Sequence, residues 1–366
     1  MKLTVTQENL SKALSAVGRV ANSKTPLPIL NNILLRTDNN RLLVAATNLE
    51  IAIVEHIGAK VDGDGAITIP ARLVMDFVSN LPKGNINLSV EESHLHIESG
   101  SYKSTINGIL ADEFPELPTI KESESISLNI ETATFKKAVS QTTITASSDT
   151  TRPVLTGVYA HTFENNLFIA ATDGYRLAER RLNELKKELS AIIPASTLQD
   201  VLRVTPDDCS EVNVLFNDSQ VRFRMDNIEI TSRLIDDKFP DYRKLIPQKS
   251  DINIKINKDE FLRITKIASL FARESAGSIT IKTNAKKNTL SIHSIASQLG
   301  ENTSEAEADI NEDGQVTLNS RYLIEALNAI EGETVLMSFS GKISPCVLSS
   351  DEKSVNYKHI IMPLKS

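Results

Sequence analysis

Cysteines and long apolar runs are scarce in this chain of 366 residues. Its two cysteines, Cys209 and Cys346, lie far apart in the sequence and predict neither a disulfide framework nor a zinc site. The sequence holds no run of about 18 apolar residues, and residues 1–10 carry Glu8 but no apolar signal region. These absences predict a cytoplasmic protein that is neither secreted nor embedded in a membrane.

Positive charge is also in deficit, with a formal net charge of −7. Taken alone, this sum argues against nucleic acid as a partner, although the distribution of charge decides more than the total. Hydrophobic residues make up 40% and charged residues 24% of the chain, which are ordinary values for a globular protein and exclude general disorder.

What the chain does contain is a threefold internal repeat. Matching segments return at offsets of 125 (170 − 45) and 124 (193 − 69), and the third copy is weaker. A unit of about 120 residues is long enough to bury its own core, so the repeat predicts three similar domains in tandem. The matching segments are residues 45–48 with 170–173, 114–115 with 239–240, and 69–76 with 193–200 and 318–325.

Polar connections after Pro118 and Pro247 predict the domain boundaries. We place the domains at residues 1–120, 121–250 and 251–366. Within each copy, helical periodicity alternates with several short strand patterns and turn signals, which predicts two helices covering antiparallel sheet, an α+β unit.

The predicted helices carry apolar stripes on one side and basic residues on the other. In the first copy, Leu10, Ala13, Leu14 and Val17 form such a stripe, and Leu73 is expected to face inward on the second helix. Ordinary solvated helix faces explain the basic residues equally well, so both interpretations stay open. The outward basic residues are Lys12, Arg19, Arg72, Lys137, Arg263 and Lys266.

An enzyme is the main alternative. Asp173 beside Gly174 could be a catalytic carboxylate at a turn, but the matching Asn48 lacks the acid, and acid–base chemistry needs a second group. His94 and His96 share one face of a strand, where a solvent-facing pair is more common than a metal site. No phosphate-binding glycine loop or nucleophile motif occurs. A monomeric binding scaffold is a third possibility, which the mass in solution would distinguish.

Four segments carry a resemblance to a known family: residues 25–32, 171–177, 239–243 and 362–364. In order and spacing, the chain resembles the bacterial DNA polymerase III beta subunit, the replicative sliding clamps, over its whole length. The resemblance implies three clamp domains per subunit and a head-to-tail homodimer forming a ring of six domains around duplex DNA. It also implies a non-catalytic processivity factor without a cofactor, whose partners include the polymerase III alpha subunit, the clamp loader, other polymerases and repair proteins.

The resemblance further implies three groups of site residues. Lys24 and Arg152 are expected to contact DNA together with the outward basic residues of the helices. Asp149, in the same loop as Arg152, departs from the family pattern. Leu270 and Phe271 are expected to pack against a strand of the other subunit around Ser104 and Ile106.

A hydrophobic pocket between the second and third domains is expected to bind short peptide motifs of the partners. Tyr175 and Cys346 stand where the family pattern has histidine and serine. The implied pocket residues are Leu155, Thr172, Gly174, Tyr175, Arg176, Leu177, Pro240, Lys244, Leu245, Cys346, Ile360, Met362 and Leu364.

Overall fold

The computed structural model describes residues 1–21, 27–122, 125–298, 300–352 and 356–364. The chain divides into two compact units: Met1–Ala133 with Asp200–Leu234, and Thr134–Gln199 with Ile235–Ser366. This division runs through the second repeat, so the domain boundaries at residues 120 and 250 stay a prediction.

The order of elements repeats three times along the chain. Each copy has a strand, a helix, four strands, a second helix and three strands, with one additional strand in the first copy. The first copy comprises β1 (Lys2–Thr6), α1 (Gln7–Ala21), β2 (Asn32–Asp38), β3 (Arg41–Thr47), β4 (Ile51–Gly58), β5 (Lys60–Gly63), β6 (Ala66–Pro70), α2 (Ala71–Ser79), β7 (Asn85–Glu91), β8 (His94–Ser99) and β9 (Tyr102–Asn107). The second comprises β10 (Ile126–Glu131), α3 (Thr132–Thr143), β11 (Gly157–Phe163), β12 (Asn166–Thr172), β13 (Arg176–Glu184), β14 (Ser190–Pro194), α4 (Ala195–Val204), β15 (Glu211–Phe216), β16 (Gln220–Met225) and β17 (Ile228–Arg233). The third comprises β18 (Ile252–Asn257), α5 (Lys258–Phe271), β19 (Ser278–Asn284), β20 (Thr289–Ala296), β21 (Gly300–Ile310), β22 (Gly314–Asn319), α6 (Ser320–Ala329), β23 (Thr334–Phe339), β24 (Cys346–Ser350) and β25 (Tyr357–Ile361).

The first unit contains two antiparallel sheets. One has the order β5-β1-β7-β8-β9 and the other the order β10-β15-β16-β17-β4-β3-β2-β6. The second sheet crosses from one copy to the next where β17 pairs with β4, placing Ile230 opposite Ile53. The first and second copies are therefore joined by backbone hydrogen bonds between strands.

The second unit contains one continuous antiparallel sheet of 12 strands, in the order β14-β11-β12-β13-β25-β24-β23-β18-β21-β20-β19-β22. Here β13 of the second copy pairs with β25 of the third, at the position equivalent to the β4 and β17 junction. The prediction of an α+β fold built from three repeats is confirmed.

The helices bury the stripes that the sequence pattern predicts, with one exception. On α1, Leu10, Ala13, Leu14 and Val17 are all buried. On α2, however, Leu73 is 53% exposed, because the helix turns Val74 and Val78 toward the core instead. The prediction that Leu73 faces inward was wrong by one position on the helix.

Helix starts in the third copy follow from their caps. The Asn257 side chain accepts the Glu260 N–H and begins α5, while the Asn319 side chain accepts the Arg321 and Tyr322 N–H groups and begins α6. These caps fix the axial position of both helices relative to the strands that precede them.

Candidate functional site

The centre of the predicted peptide pocket is a tight turn between β12 and β13. Thr172 Oγ1 donates to the Arg176 carbonyl oxygen at 2.6 Å and accepts the Gly174 N–H at 3.1 Å. Asp173 Oδ1 accepts the N–H groups of Tyr175 and Arg176 at 2.9 and 3.0 Å. Gly174 has a φ of +92°, which glycine adopts without a Cβ clash. The turn leaves Tyr175 65% exposed.

Arg176 anchors this turn from inside the protein. Its Nε lies 3.1 Å from Asp173 Oδ2, its Nη1 donates to Glu325, and its Nη2 donates to the Ile144 carbonyl oxygen at 2.7 Å. Burial raises the pKa of Glu325, but its hydrogen bonds, that from Arg176 first, outweigh burial and leave this pKa below its usual value. Arg176 is only 5% exposed and anchors the turn from inside, and its place in the wall of the peptide pocket stays a prediction.

The predicted pocket lies where the second and third copies share the sheet. Leu177 on β13 is paired with Ile360 on β25, and the Met362 N–H donates to the Tyr175 carbonyl oxygen at 2.8 Å. Leu177 and Ile360 belong to a small buried cluster, which forms an apolar floor beside the turn. The cluster also contains Ala170, Ile192, Phe239 and Tyr242, with Val154, Tyr159, Ile235, Ile246 and Val347 packed against it.

A buried polar network fixes the short 3-10 helix Tyr242–Leu245 to the sheet. The Tyr242 hydroxyl donates to Glu179 Oε2 at 2.5 Å and shares a hydrogen bond of 2.7 Å with His161 Nε2. Arg243 pairs with the same Glu179 oxygen at 2.9 Å. Burial, assisted by Arg243, lowers the pKa of His161 to about 4, so this ring is neutral at neutral pH. Leu245, at the end of this helix, is 56% exposed.

The remaining predicted pocket residues divide into a floor and a rim. Tyr175, Leu245 and Met362 expose large apolar side chains, whereas Leu155, Leu177 and Ile360 are buried. A buried apolar floor beside exposed apolar side chains can accept the apolar side chains of a short peptide. Along the rim, Gly174, Pro240 and Lys244 are exposed, and Thr172 and Leu364 are partly buried.

Cys346 is not at this surface. It is fully buried in the large core of the third copy, and burial raises the pKa of its thiol. The next residue, Val347, packs against the small cluster instead. Successive residues of a strand point to opposite faces, so Val347 rather than Cys346 turns its side chain toward the cluster of Leu177 and Ile360, and the place of Cys346 in the peptide pocket stays a prediction.

The predicted DNA-contact residues lie at the surface wherever the structure describes them. Lys24 falls outside the described residues. All the others are exposed: Lys12, Arg19, Arg72, Lys137, Arg152, Arg263 and Lys266.

Two surface grooves accompany the basic helices. The first, of ≈ 590 Å³, is lined by Lys12 and Arg19 of α1 together with Arg203 of α4. The second, of ≈ 340 Å³, lies between α3 and α6 and includes Lys137, which pairs with Glu331. The two grooves are equivalent in the repeat, since each joins the first helix of one copy to the second helix of the next.

The predicted subunit-contact residues differ in exposure. Leu270 is 53% exposed, and Phe271 and Ser104 are partly buried. Ile106 is 3% exposed and packs inside its own unit, and its contact with a second subunit stays a prediction. Sequence reasoning missed Ile267, an apolar residue that is 39% exposed one turn before Leu270.

The residues of the enzyme alternative have structural roles. Both Asp173 carboxylate oxygens accept hydrogen bonds from the turn or from Arg176. His96 Nδ1 lies 3.0 Å from Thr105 Oγ1, and the described residues contain no group of three or more potential metal ligands. No helix in the described ranges combines the length and apolarity needed to cross a membrane.

Comparison with known proteins agrees with this architecture. Family models of the N-terminal, central and C-terminal domains of the DNA polymerase III beta subunit match residues 1–118, 129–241 and 243–365. The Beta sliding clamp of Staphylococcus epidermidis is 30% identical over 380 aligned residues, covering 100% of both chains. The sliding clamp of Bacillus subtilis superposes with a TM-score of 0.95 at 27% identity, covering 100% of this chain and 99% of that one. The Thermotoga maritima beta subunit superposes with a TM-score of 0.90 at 26% identity over the same shares.

The fold defines a scaffold of three repeated clamp domains, whose antiparallel sheets continue from one copy into the next. The chain belongs to the DNA polymerase III beta subunit family. It is thus a sliding clamp, a processivity factor of DNA replication without catalytic activity of its own.

Proposed function

We propose that two copies of this chain join head to tail into a ring of six domains that encircles duplex DNA without reading its sequence. The ring tethers the replicative polymerase and other partners to the template through short peptides. The two internal junctions between copies carry this proposal, because they define what a third junction between subunits requires.

Each internal junction has the same two components. A strand from the middle of one copy pairs with the last strand of the next, as β4 does with β17 and β13 with β25. In addition, the first helix of one copy lies beside the second helix of the next, as α3 does with α6, where Gln141 Nε2 donates to the Ala329 carbonyl oxygen at 2.7 Å.

By the same rule, a third junction joins β21 and α5 of one subunit to β9 and α2 of another. Within the described residues, β9 pairs with β8 alone, and residues 300–307 of β21 pair with β20 alone, so each presents one unpaired side. Ile267 and Leu270 on α5 and Leu73 on α2 are exposed apolar residues that such a junction would cover. Head-to-tail contacts of this kind close into a ring when their rotation returns to the start.

The basic residues on the outward faces of the helices support a diffuse contact with DNA. A clamp that slides needs a weak positive field around the phosphates rather than contacts with base edges. Ion pairs such as Lys137 with Glu331 and Arg72 with Asp76 moderate this field, which keeps the individual phosphate contacts weak.

The floor and rim around Tyr175 support a binding site for partner peptides. Tyr175, Leu245 and Met362 supply exposed apolar contacts, and methionine adapts to ligands of different shape. The partners that fit this role are the polymerase III alpha subunit, the clamp loader, other polymerases and repair proteins. Such replication partners work in the cytoplasm. The two cysteines of this chain are free and buried, which agrees with a cytoplasmic protein.

The test loads the protein onto nicked circular DNA with an ATP-driven bacterial clamp loader, followed by gel filtration at rising salt. We expect it to stay on the circle at about 200 mM salt, where ordinary phosphate contacts weaken, because release requires opening a subunit junction. Cutting the circle once should release it, since the ring can slide off a free end.

Loss from intact circles at this salt concentration, or retention on the cut DNA, would show that contact affinity rather than encirclement holds the protein. Covalently closed circles without the loader are the matched control and should retain no protein.

A further inference from the structure

The junction between the first and second copies contains a second turn built like the one at Tyr175. Thr47 Oγ1 donates to the Ile51 carbonyl oxygen at 3.0 Å and accepts the Leu49 N–H at 3.1 Å. Asn48 Oδ1 accepts the N–H groups of Glu50 and Ile51 at 3.1 and 2.9 Å. Every one of these hydrogen bonds has its equivalent in the turn of residues 172–176.

The neighbouring strand also docks in the same way. The Arg233 N–H, at the end of β17, donates to the Glu50 carbonyl oxygen at 2.9 Å. In the second junction the Met362 N–H, just after β25, donates to the Tyr175 carbonyl oxygen at 2.8 Å. Arg233 therefore occupies the position of Met362, and Glu50 the position of Tyr175.

A cavity of ≈ 230 Å³ lies at this first junction. Five of its lining residues are the repeat counterparts of predicted pocket residues, at an offset of 125 (172 − 47). Thr47, Leu49, Glu50, Ile51 and Ala52 stand where the second junction has residues 172 and 174–177. The first unit thus contains a concave site at the position of the partner pocket, formed by different side chains.

The chemistry of this cavity differs from that of the Tyr175 site. Leu49 is 47% exposed and, with Pro118, supplies an apolar side, while Glu50, Glu116 and Arg233 supply charges. Arg233 is only loosely paired with Glu50, at 4.0 Å, and both side chains are mostly exposed. Two carboxylates against one guanidinium leave a net negative charge, which disfavours phosphates and favours a cationic group.

Leu49 adopts a backbone conformation that leucine rarely takes. Its φ is +75°, in the region where the equivalent Gly174 has +92°. A side chain other than glycine is strained at such an angle, and strain of this kind is concentrated at functional sites. The exposed Leu49 side chain therefore stands at a position where a glycine would relieve the strain of the backbone.

We propose that the first junction is a second peptide-binding site, which accepts a linear segment bearing a lysine or arginine next to an apolar residue. The basic group binds between Glu50 and Glu116, and the apolar side chain packs on Leu49. This inference rests on the proposed peptide pocket at Tyr175 for its geometry, but the two sites differ in the charge of the peptide they select.

The test begins with a phage library of random linear decapeptides, panned against full-length protein carrying Met362→Ala and Leu364→Ala. These changes disable the site at Tyr175, so binding there does not mask the first junction. Peptides that are enriched are then synthesised, and their affinity is measured by fluorescence anisotropy in the same background.

We expect enriched peptides with a basic residue beside an apolar one. Their affinity should fall at least tenfold with Glu50→Lys and with Leu49→Gly. Leu49→Gly relieves the backbone strain at this positive φ angle. The thermal midpoint of the variant should therefore equal or exceed that of the parent, which would exclude misfolding as the cause of lost binding. The matched controls are Glu92→Lys and Leu110→Gly at exposed positions elsewhere in the first unit, and both should leave the affinity unchanged.

The proposal is overturned if no peptide is enriched, if the enriched peptides lack basic residues, or if Glu50→Lys and Leu49→Gly leave the affinity unchanged. A separate measurement tests the Tyr175 site. If a polymerase C-terminal peptide binds the Met362→Ala, Leu364→Ala protein as well as the parent, the proposed pocket fails, whatever the first junction does.

Discussion

Some equivalent positions of the repeat share the same place on a strand but carry side chains of opposite charge. Glu55 on β4 corresponds to Arg180 on β13, at the same offset of 125 (180 − 55). Arg180 pairs with Glu331 at 2.7 Å. Glu55 is half-buried, and within the described residues its Oε2 has no hydrogen-bond partner. Burial raises the pKa of Glu55 to about 7, although Lys12 opposes this shift.

This residue makes the free energy of unfolding depend on pH. The pKa of Glu55 is higher in the folded than in the unfolded chain, so the folded state binds more protons between about pH 4.5 and 7. The contribution of Glu55 to stability is therefore present below this window and is lost as pH rises through it. We expect Glu55→Gln to raise the free energy of unfolding at pH 8 by about 1–3 kcal/mol and to change it little at pH 4.

Urea unfolding of the parent and the variant at both pH values measures this difference. Glu92→Gln is the matched control, because Glu92 is exposed and should give the same result at pH 4 and pH 8. A gain at pH 4 equal to that at pH 8 would show that packing, rather than ionisation, explains the effect.

At the scale of elements, helices α5 and α2 show where apolar residues leave the core. Ile267 and Leu270 lie on the face of α5 that also carries Arg263 and Lys266, while Phe261 and Ile264 point into the core. On α2, Leu73 lies outside the buried face formed by Val74 and Val78. In the internal helix pair α3 and α6, Gln141 on α3 and Ile144 directly after α3 hold the equivalent positions beside α6. Exposure on α5 is thus consistent with a helix partner from a second subunit.

We expect Ile267→Asp combined with Leu270→Asp to convert the proposed dimer into a folded monomer of 40.2 kDa. The two aspartates bring unpaired charge into an apolar contact, and neither replaces a core residue. Light scattering coupled to size exclusion measures the mass, and circular dichroism checks the fold.

The control is Ile343→Asp, an equivalent change at a residue that is 82% exposed in the loop before β24. It should remain dimeric. A double variant on α5 that also remains dimeric would move the subunit junction away from this helix.

At the scale of the whole molecule, a negative net charge is compatible with basic helix faces because the acidic and the basic residues lie on different elements. The chain carries 47 acidic and 40 basic residues, which give the net charge of −7. Acidic residues are concentrated in strands and loops, such as Glu301, Glu305 and Glu307 on β21. The net charge therefore does not exclude DNA as a partner. The basic residues on the outward faces of the helices predict where the DNA would lie.

Binding to a short linear duplex should be weak and should decrease with salt, because counterion release supplies the free energy. Each phosphate that a basic side chain neutralises adds about 0.9 to the slope of log affinity against log salt concentration. We expect Arg263→Ala to reduce this slope by about 1, because the variant removes one cation from the helix face that we propose to meet the phosphates. Anisotropy between about 50 and 200 mM salt measures the slope.

Lys358→Ala on β25 is the matched control, since it removes an exposed cation from a strand. An equal reduction of the slope by this variant would place the DNA on the sheets rather than on the helices.

The sequence by itself determined the α+β class, the threefold repeat and most buried helix positions. The periodicity of Leu10, Ala13, Leu14 and Val17 depends only on the geometry of a single helix. The return of residues 45–48 at 170–173 can be seen directly in the amino-acid sequence. The family resemblance added the expected pocket positions, which were carried over residue by residue.

The tertiary structure decided which of those side chains reach a surface. Val347, and not Cys346, packs against the small cluster because the register of β24 against β25 fixes which face of the strand meets that cluster. Arg176 is an anchor because Glu325, from the next copy, reaches its guanidinium. The cavity at Leu49 likewise needs β17 of the second copy to close it. These outcomes depend on pairing between residues remote in sequence, which no local pattern encodes.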